Sequence, residues 1–175
     1  MAKIRHLSAD HIINPETEIL VIGTFNPAAP SNEADFFYGR RRNFLWRLLP
    51  LSFGEAPLKG KSREEKAAFM KRRRIDFVDI VSEVDVDDPS NYDDGYIDGK
   101  VSQWKDIIAE IEKLPRVKKA CFTRKTFADI PNMKKKIGEI RGCCEKQNIF
   151  FRALVSPARI YSADKQAEWT EFFRG

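Results

Sequence analysis

The sequence predicts an α/β fold, with a short, mainly parallel four-stranded sheet and helices on both faces. Three observations predict it. Ile19, Leu20, Val21 and Ile22 form a continuous apolar run, too short for a helix and suited to a strand buried on both sides. Three further strands are read at 75–81, 117–123 and 149–155. Helical patterns separate them, and strands alternating with helices give a parallel sheet covered on both faces.

The elements follow in order. The first strand ends at Gly23-Thr24-Phe25-Asn26-Pro27, a turn of small and polar residues. Ligands of open α/β sheets bind outside the carboxyl ends of strands, so this turn is a candidate site as well as an ordinary loop. An aromatic and basic stretch then leads into a helix beginning near Asn43. Ser62 and Glu65 form a capping box that starts a second helix, ending about Arg73. Ile75 to Val81 reads as the second strand. Seven acids and no base between Glu83 and Asp98, with Pro89, Asn91, Gly95 and Gly99, read as an acidic loop. Val101 to Leu114 reads as an amphipathic helix with Trp104, Ile107, Ile108 and Ile111 on one face. Val117 to Thr123 is the third strand, and Met133 to Gln147 a basic helix interrupted by Gly138 and Gly142. Ile149 to Val155 is the fourth strand, and Ala163 to Phe173 a closing helix.

Length and composition exclude several classes. A chain of 175 residues with 42% hydrophobic content predicts one globular domain over 1–175, with a sizeable core. No apolar run reaches the ~20 residues of a membrane span. MAKIRHLSAD lacks the apolar region of a signal peptide, so a cytoplasmic protein is expected, as a monomer. Three cysteines, Cys121, Cys143 and Cys144, cannot form a four-cysteine metal or cluster site, and free thiols are expected. Only two histidines exist, His6 and His11, and both precede the first predicted strand. A histidine-based metal box or triad would need one at a strand end, so surface or helix-side positions are expected for both. No metal and no cofactor are expected.

Charge is uneven at a net +5. Residues 59–74 hold eight bases against two acids. With the aromatics between Phe36 and Trp46, this favours a nucleic-acid partner, since rings stack on bases while basic groups hold phosphates. A solvated helix face beside an acidic loop is the plain alternative.

GTFNP at 23–27, FFYG at 36–39 and RRNFLW at 41–46 together resemble the first motif of the uracil-DNA glycosylase superfamily. The resemblance is strongest to the mismatch-specific uracil and hypoxanthine-type branches. Ile75 to Ser82 resembles the second conserved strand of the hypoxanthine-type branch, and Leu154 to Ala158 the Ser-Pro motif near the superfamily's C-terminus.

The resemblance implies a uracil-DNA glycosylase-like domain that hydrolyses the N-glycosidic bond of a deaminated or mismatched base in DNA, without a metal. It implies Asn43 or Asn26 as the group that places the water. Asn43 could equally be a helix cap, or do both. The base pocket would take Gly23, Thr24, Phe25, Tyr38, Asp79 and Thr123. Phe25 and Tyr38 could stack on the base or belong to the core, and Asp79 could simply bond backbone amides near a loop. At position 123 the resembling families often carry an amide that reads the base, where this chain has a hydroxyl. Arg40, Arg41, Arg42, Ser156, Pro157, Ala158 and Arg159 would contact DNA. Two rivals remain open: a non-catalytic nucleic-acid-binding module on the same fold, and a hydrolase of small nucleosides or nucleotides.

Overall fold

A computed structural model describes residues 1–175. Its spine is β2, Ile19–Gly23, every residue of which is buried. Such a strand has no solvent face, so it must be sandwiched. Parallel partners flank it: β3 (Ile75–Asp79) on one side and β6 (Lys119–Phe122) on the other, with β7 (Phe150–Ala153) beyond β6. The order β3-β2-β6-β7 is the expected four-stranded parallel sheet.

Alternation along β2 divides the core in two. Ile19 and Val21 pack with α1 (Leu45–Ser52), α2 (Arg63–Arg73) and α6 (Ala163–Arg174), through Trp46, Phe69, Trp169 and Phe172. Leu20 and Ile22 pack with α4 (Ile107–Glu112) and α5 (Pro131–Lys146), through Ile111, Met133, Ile137 and Ile140. Helices thus cover both faces. The Ser62–Glu65 capping box forms as read, opening α2.

Four readings are corrected. The strand expected over 75–81 breaks at Ile80. β3 stays in the parallel sheet, and β4 (Val81–Val86) leaves it to pair antiparallel with β1 (Ala2–Arg5) and β5 (Val101–Trp104). The first four residues of the expected acidic loop, 83–86, are therefore strand. Val81, Val84 and Val86 are buried while Glu83 and Asp85 are only partly so, and an alternating pattern overrode the charge count. The helix expected over 101–114 begins only at Ile107, because Asp106 accepts the Ala109 N–H and caps it. Trp104 accordingly lies at the end of β5. Gly138 and Gly142 do not interrupt α5, whose backbone runs through both with open space where side chains would stand.

The loop after the short helix α3 (Asp94–Ile97) is locked to α5 by one buried carboxylate. Asp98 is 4% exposed and accepts hydrogen bonds from the Asn132 and Met133 N–H groups, at 3.0 and 2.8 Å, and from Asn132 Nδ2. It caps α5 from outside the helix, since Ile130 at the cap position has no side-chain acceptor. Replacing Asp98 with Ala should cost about 2 kcal/mol in urea unfolding with an unchanged m-value. A loss under about 0.5 kcal/mol would show that water substitutes for the carboxylate.

Candidate functional site

All four parallel strands point their carboxyl ends at one cleft of about 1000 Å³. The chain passes from β2 to β3 on one side and returns to β6 on the other. The crevice above β2 is therefore the switch point where open α/β sheets bind ligands.

Gly23 is its floor. A Cβ there would lie 2.4 Å from Asp79 Oδ1 and 2.5 Å from Tyr38 Oη, so only glycine lets these two oxygens converge. Asp79 is brought in by the parallel register that sets it beside Gly23. Tyr38 arrives with φ 53°, a left-handed backbone that a bulky residue rarely adopts. Its ring rests on Phe77, and its Oη is 3.2 Å from Thr123 Oγ1 at the end of β6. Thr123 in turn donates to the Ile22 carbonyl at 3.4 Å, which leaves Tyr38 as the donor to Thr123. Burial, reinforced by the Asp79 carboxylate, holds the Tyr38 phenol well above its usual range.

Asp79 has a partner that sequence patterning did not supply. His6 Nε2 lies 2.6 Å from Asp79 Oδ2, and both side chains are nearly buried, at 7% and 8% exposure. Ser8 N–H donates to His6 Nδ1 at 2.9 Å, which places the ring hydrogen on Nε2. The expectation of surface or helix-side histidines is thus wrong for His6. It stands directly after β1 and reaches a strand end. His11 is likewise paired, with Asp76 at 2.8 Å, and is about 30% exposed. The missed signal was the alternation Ala2-Lys3-Ile4-Arg5-His6, which makes β1 a strand and turns His6 inward.

Phe25 and Asn26 follow β2 into the cleft wall. Phe25 meets His6 edge-on and lies 6.1 Å from the Tyr92 ring, half-buried with a surface on the cleft. Asn26 is 8% exposed; its Oδ1 accepts from Asn32 Nδ2 at 2.6 Å, and its Nδ2 has no partner. Asn43 stands across the cleft opening, at the start of α1. Its Oδ1 accepts the Leu45 N–H at 3.0 Å, so it does hold the helix start, although the formal cap residue is Phe44. Its backbone carbonyl accepts from Lys59 Nζ.

The rim joins two distant segments. Asn43 and Ala158 form an antiparallel bridge, with Phe44 N–H bonded to the Pro157 carbonyl and Arg159 N–H to the Arg42 carbonyl, at 2.8 and 2.7 Å. Lys59 donates to the Arg41 and Asn43 carbonyls, and Lys165 to those of Ala158 and Ile160, fastening both sides.

Of the residues singled out from sequence, Thr24, Phe25, Asn26, Tyr38, Arg40, Asn43, Asp79, Thr123, Ser156, Pro157, Ala158 and Arg159 all line this cleft. Gly23 lies beneath it. Arg41 and Arg42 are exposed on the outer rim and do not line it. Sequence reasoning missed the far wall: Tyr92, Asp94, Arg124, Asp129 and Lys165. Arg124 bridges Asp94, at 2.9 Å, and Asp129. Burial nevertheless leaves the Asp94 carboxyl above its ordinary range. No group of three or more His, Cys, Asp or Glu side chains is placed to hold a metal ion. No helix is long and apolar enough to cross a membrane.

The raised Tyr38 phenol fixes the sign of one pH effect. In the unfolded chain tyrosine ionises near 10, while folded Tyr38 keeps its proton to higher pH. Its contribution is therefore complete below about pH 10 and is lost as pH rises beyond it. Tyr38→Phe should show a shallower fall in stability than the parent between about pH 9 and 11. An identical alkaline slope would mean that the phenol ionises freely in the folded state.

No protein-family model matches the chain, and no curated protein matches it. Among solved structures, it is similar to a solution NMR structure from Methanosarcina acetivorans described as "a putative Uracil DNA glycosylase". The match has a TM-score of 0.61 and 23% sequence identity, over 93% of this chain and 92% of the other. At that identity the likeness is one of fold, and it extends over nearly the whole of both chains: the architecture is uracil-DNA glycosylase-like.

Proposed function

We propose that residues 1–175 form one glycosylase domain that hydrolyses the N-glycosidic bond of a deaminated or mismatched base in DNA, of the uracil or hypoxanthine type. One observation carries this reading. Residues 23–26, 38–43, 79 and 156–159, which bear the resemblance, meet around a single cleft at the carboxyl ends of a parallel sheet. The shared fold with the Methanosarcina acetivorans protein described as "a putative Uracil DNA glycosylase" supports it.

The roles follow from chemistry. A base inside a duplex must be rotated out of the stack before its glycosidic bond can be reached. In this reading Phe25 stacks on the extruded base, and Thr24, Tyr38, Asp79 and Thr123 enclose it. Breaking the bond leaves positive charge on the sugar and negative charge on the base, and water must approach C1′ from a fixed position. Asn43 is the better candidate to hold that water. Leu45 N–H fixes its amide orientation, and a carboxamide oxygen retains a second lone pair. The Asn26 oxygen is likewise engaged once, by Asn32, but Asn26 is nearly buried in the cleft wall whereas Asn43 is partly exposed at the opening. Arg40, Arg41, Arg42 and Arg159, with the 156–158 backbone, would meet phosphates. Thr123, a hydroxyl in place of an amide, is the observation that favours a binding module without catalysis.

Oligonucleotides carrying uracil, hypoxanthine, xanthine or a G·T mismatch, treated with alkali after incubation with chelator present, should reveal abasic sites in at least one case. No cleavage anywhere with folded protein in excess would sink the reading. Tight binding without cleavage selects the binding module, and activity on free nucleosides alone selects the small-molecule hydrolase. On the active oligonucleotide, Asn43→Ala should slow single-turnover excision by about 100-fold or more, with Asn26→Ala affected less. The reverse order would reassign the water to Asn26.

Binding to DNA should weaken with salt at a slope of about −0.9 per neutralised phosphate in log K against log salt. Replacing Arg41 and Arg42 with Ala should flatten the slope by up to about two such increments. An unchanged slope would move the DNA to another face.

A further inference from the structure

We propose that Asp79 accepts the proton of the attacking water and that His6 is the positioning residue that holds it for this task; the inference rests on the glycosylase reading. Attack by water at C1′ releases a proton there, and the water-placing group cannot take it. An asparagine oxygen can orient water, but an amide is too weak a base to take its proton.

The cleft contains four carboxylates, Asp79, Asp93, Asp94 and Asp129. Asp94 and Asp129 are both bound by Arg124, and Asp93 is exposed. Asp79 pairs with no cationic side chain; its one partner is the His6 imidazole, which the Ser8 N–H holds as a neutral donor. Its two oxygens are differentiated. Oδ2 receives the His6 Nε2 hydrogen at 2.6 Å, while Oδ1 makes no hydrogen bond within the protein and stands over Gly23 beside Tyr38 Oη. A carboxylate buried to this degree with one oxygen unpaired is costly unless that oxygen meets water or ligand.

His6 fixes this arrangement from behind. It does not line the cleft, so it acts only through Asp79. Its ring is held by Ser8 N–H and by contacts with Phe25 and Phe37, at 5.8 and 6.3 Å between ring centres. Its backbone is held too, with His6 N–H bonded to the Ser82 carbonyl at 2.8 Å. The imidazole therefore has one orientation, and Asp79 is turned with Oδ1 into the cleft.

The step balances without a co-reactant beyond water. The C1′–N bond breaks with its electron pair going to the base. The water oxygen bonds to C1′, and one water hydrogen passes to Asp79 Oδ1. The base anion then takes a proton from solvent, and Asp79 returns its own to solvent.

The test is single-turnover excision with saturating protein, alongside the DNA dissociation constant, for the parent, His6→Gln, His6→Phe and Asp79→Asn. Asp79→Asn keeps an acceptor for His6 but is no base, and should lose about 10²–10⁴-fold in rate. His6→Phe should lose about 10–100-fold with DNA affinity unchanged, as for groups that orient a reacting residue. Gln can offer an N–H where Nε2 stood, so His6→Gln should recover to within about tenfold of the parent. Recovery by Gln and the split between rate and affinity separate positioning from simple destabilisation. Parental rates in Asp79→Asn, or in a folded His6→Phe, would overturn the inference and leave the glycosylase reading intact. Should His6→Phe not fold, Asp79→Asn and His6→Gln decide between them. A parent protein inactive on every oligonucleotide would overturn both.

Discussion

The absence of one methyl-sized group at position 23 is the constraint on which the cleft depends. A fully buried strand ends there, its neighbour in register is Asp79, and Tyr38 folds over from the following loop. Any side chain would hold the carboxylate and the phenol apart. Because the parallel ladder fixes Asp79 and the rigid core fixes Phe77 beneath Tyr38, neither oxygen can retreat cheaply. The glycine converts a packing arrangement into a polar site.

That site is held under tension. Tyr38 and Arg159 are two of only four non-glycine residues with positive φ, and both line the cleft. Such conformations cost on the order of 1 kcal/mol or more each and persist where surrounding contacts overdetermine them. For Tyr38 those contacts are the Thr123 hydroxyl and the Phe77 ring, and for Arg159 the hydrogen bond to Arg42. Electrostatics are similarly balanced. Three acids of the 93–129 wall face a rim of arginines and lysines, and Arg124 neutralises two of them from within.

Much of the frame was legible because burial on both faces leaves a strong mark. The run at 19–22 has no solvent side and reads directly as a strand, and 120–122 is buried in the same way, while 150–153 at the sheet edge is only partly covered. The strand end at Gly23 to Pro27 was legible as a site because ligands collect there, whereas Asp79 and Thr123 came only from the resemblance. What failed were weaker or competing local signals. The alternation of Val84-Asp85-Val86 lost to the count of acids around it, and the capping power of Asp106 was overlooked beside the apolar face that follows. What no local signal carries is pairing across the fold. His6 and Asp79 are 73 positions apart, and Arg124 and Asp94 30 apart. Each is unremarkable in its own stretch, and only the pairing of β1 with β4 and the folding of α3 toward the residue that follows β6 give them meaning.

The bridge between Asn43 and Ala158 also sets an order of events during synthesis. A chain leaving the ribosome can assemble β2 and β3 early, since they are joined within the first half of the sequence. Its cleft, however, stays open along one side until the segment after β7 has emerged and reached back to residues 42–44. Closing so long a loop is among the slower steps available to a small domain. A nascent or truncated chain ending before that segment would lack α6 as well, so the rim of the cleft and the core face built on Trp169 and Phe172 are completed together, late in synthesis.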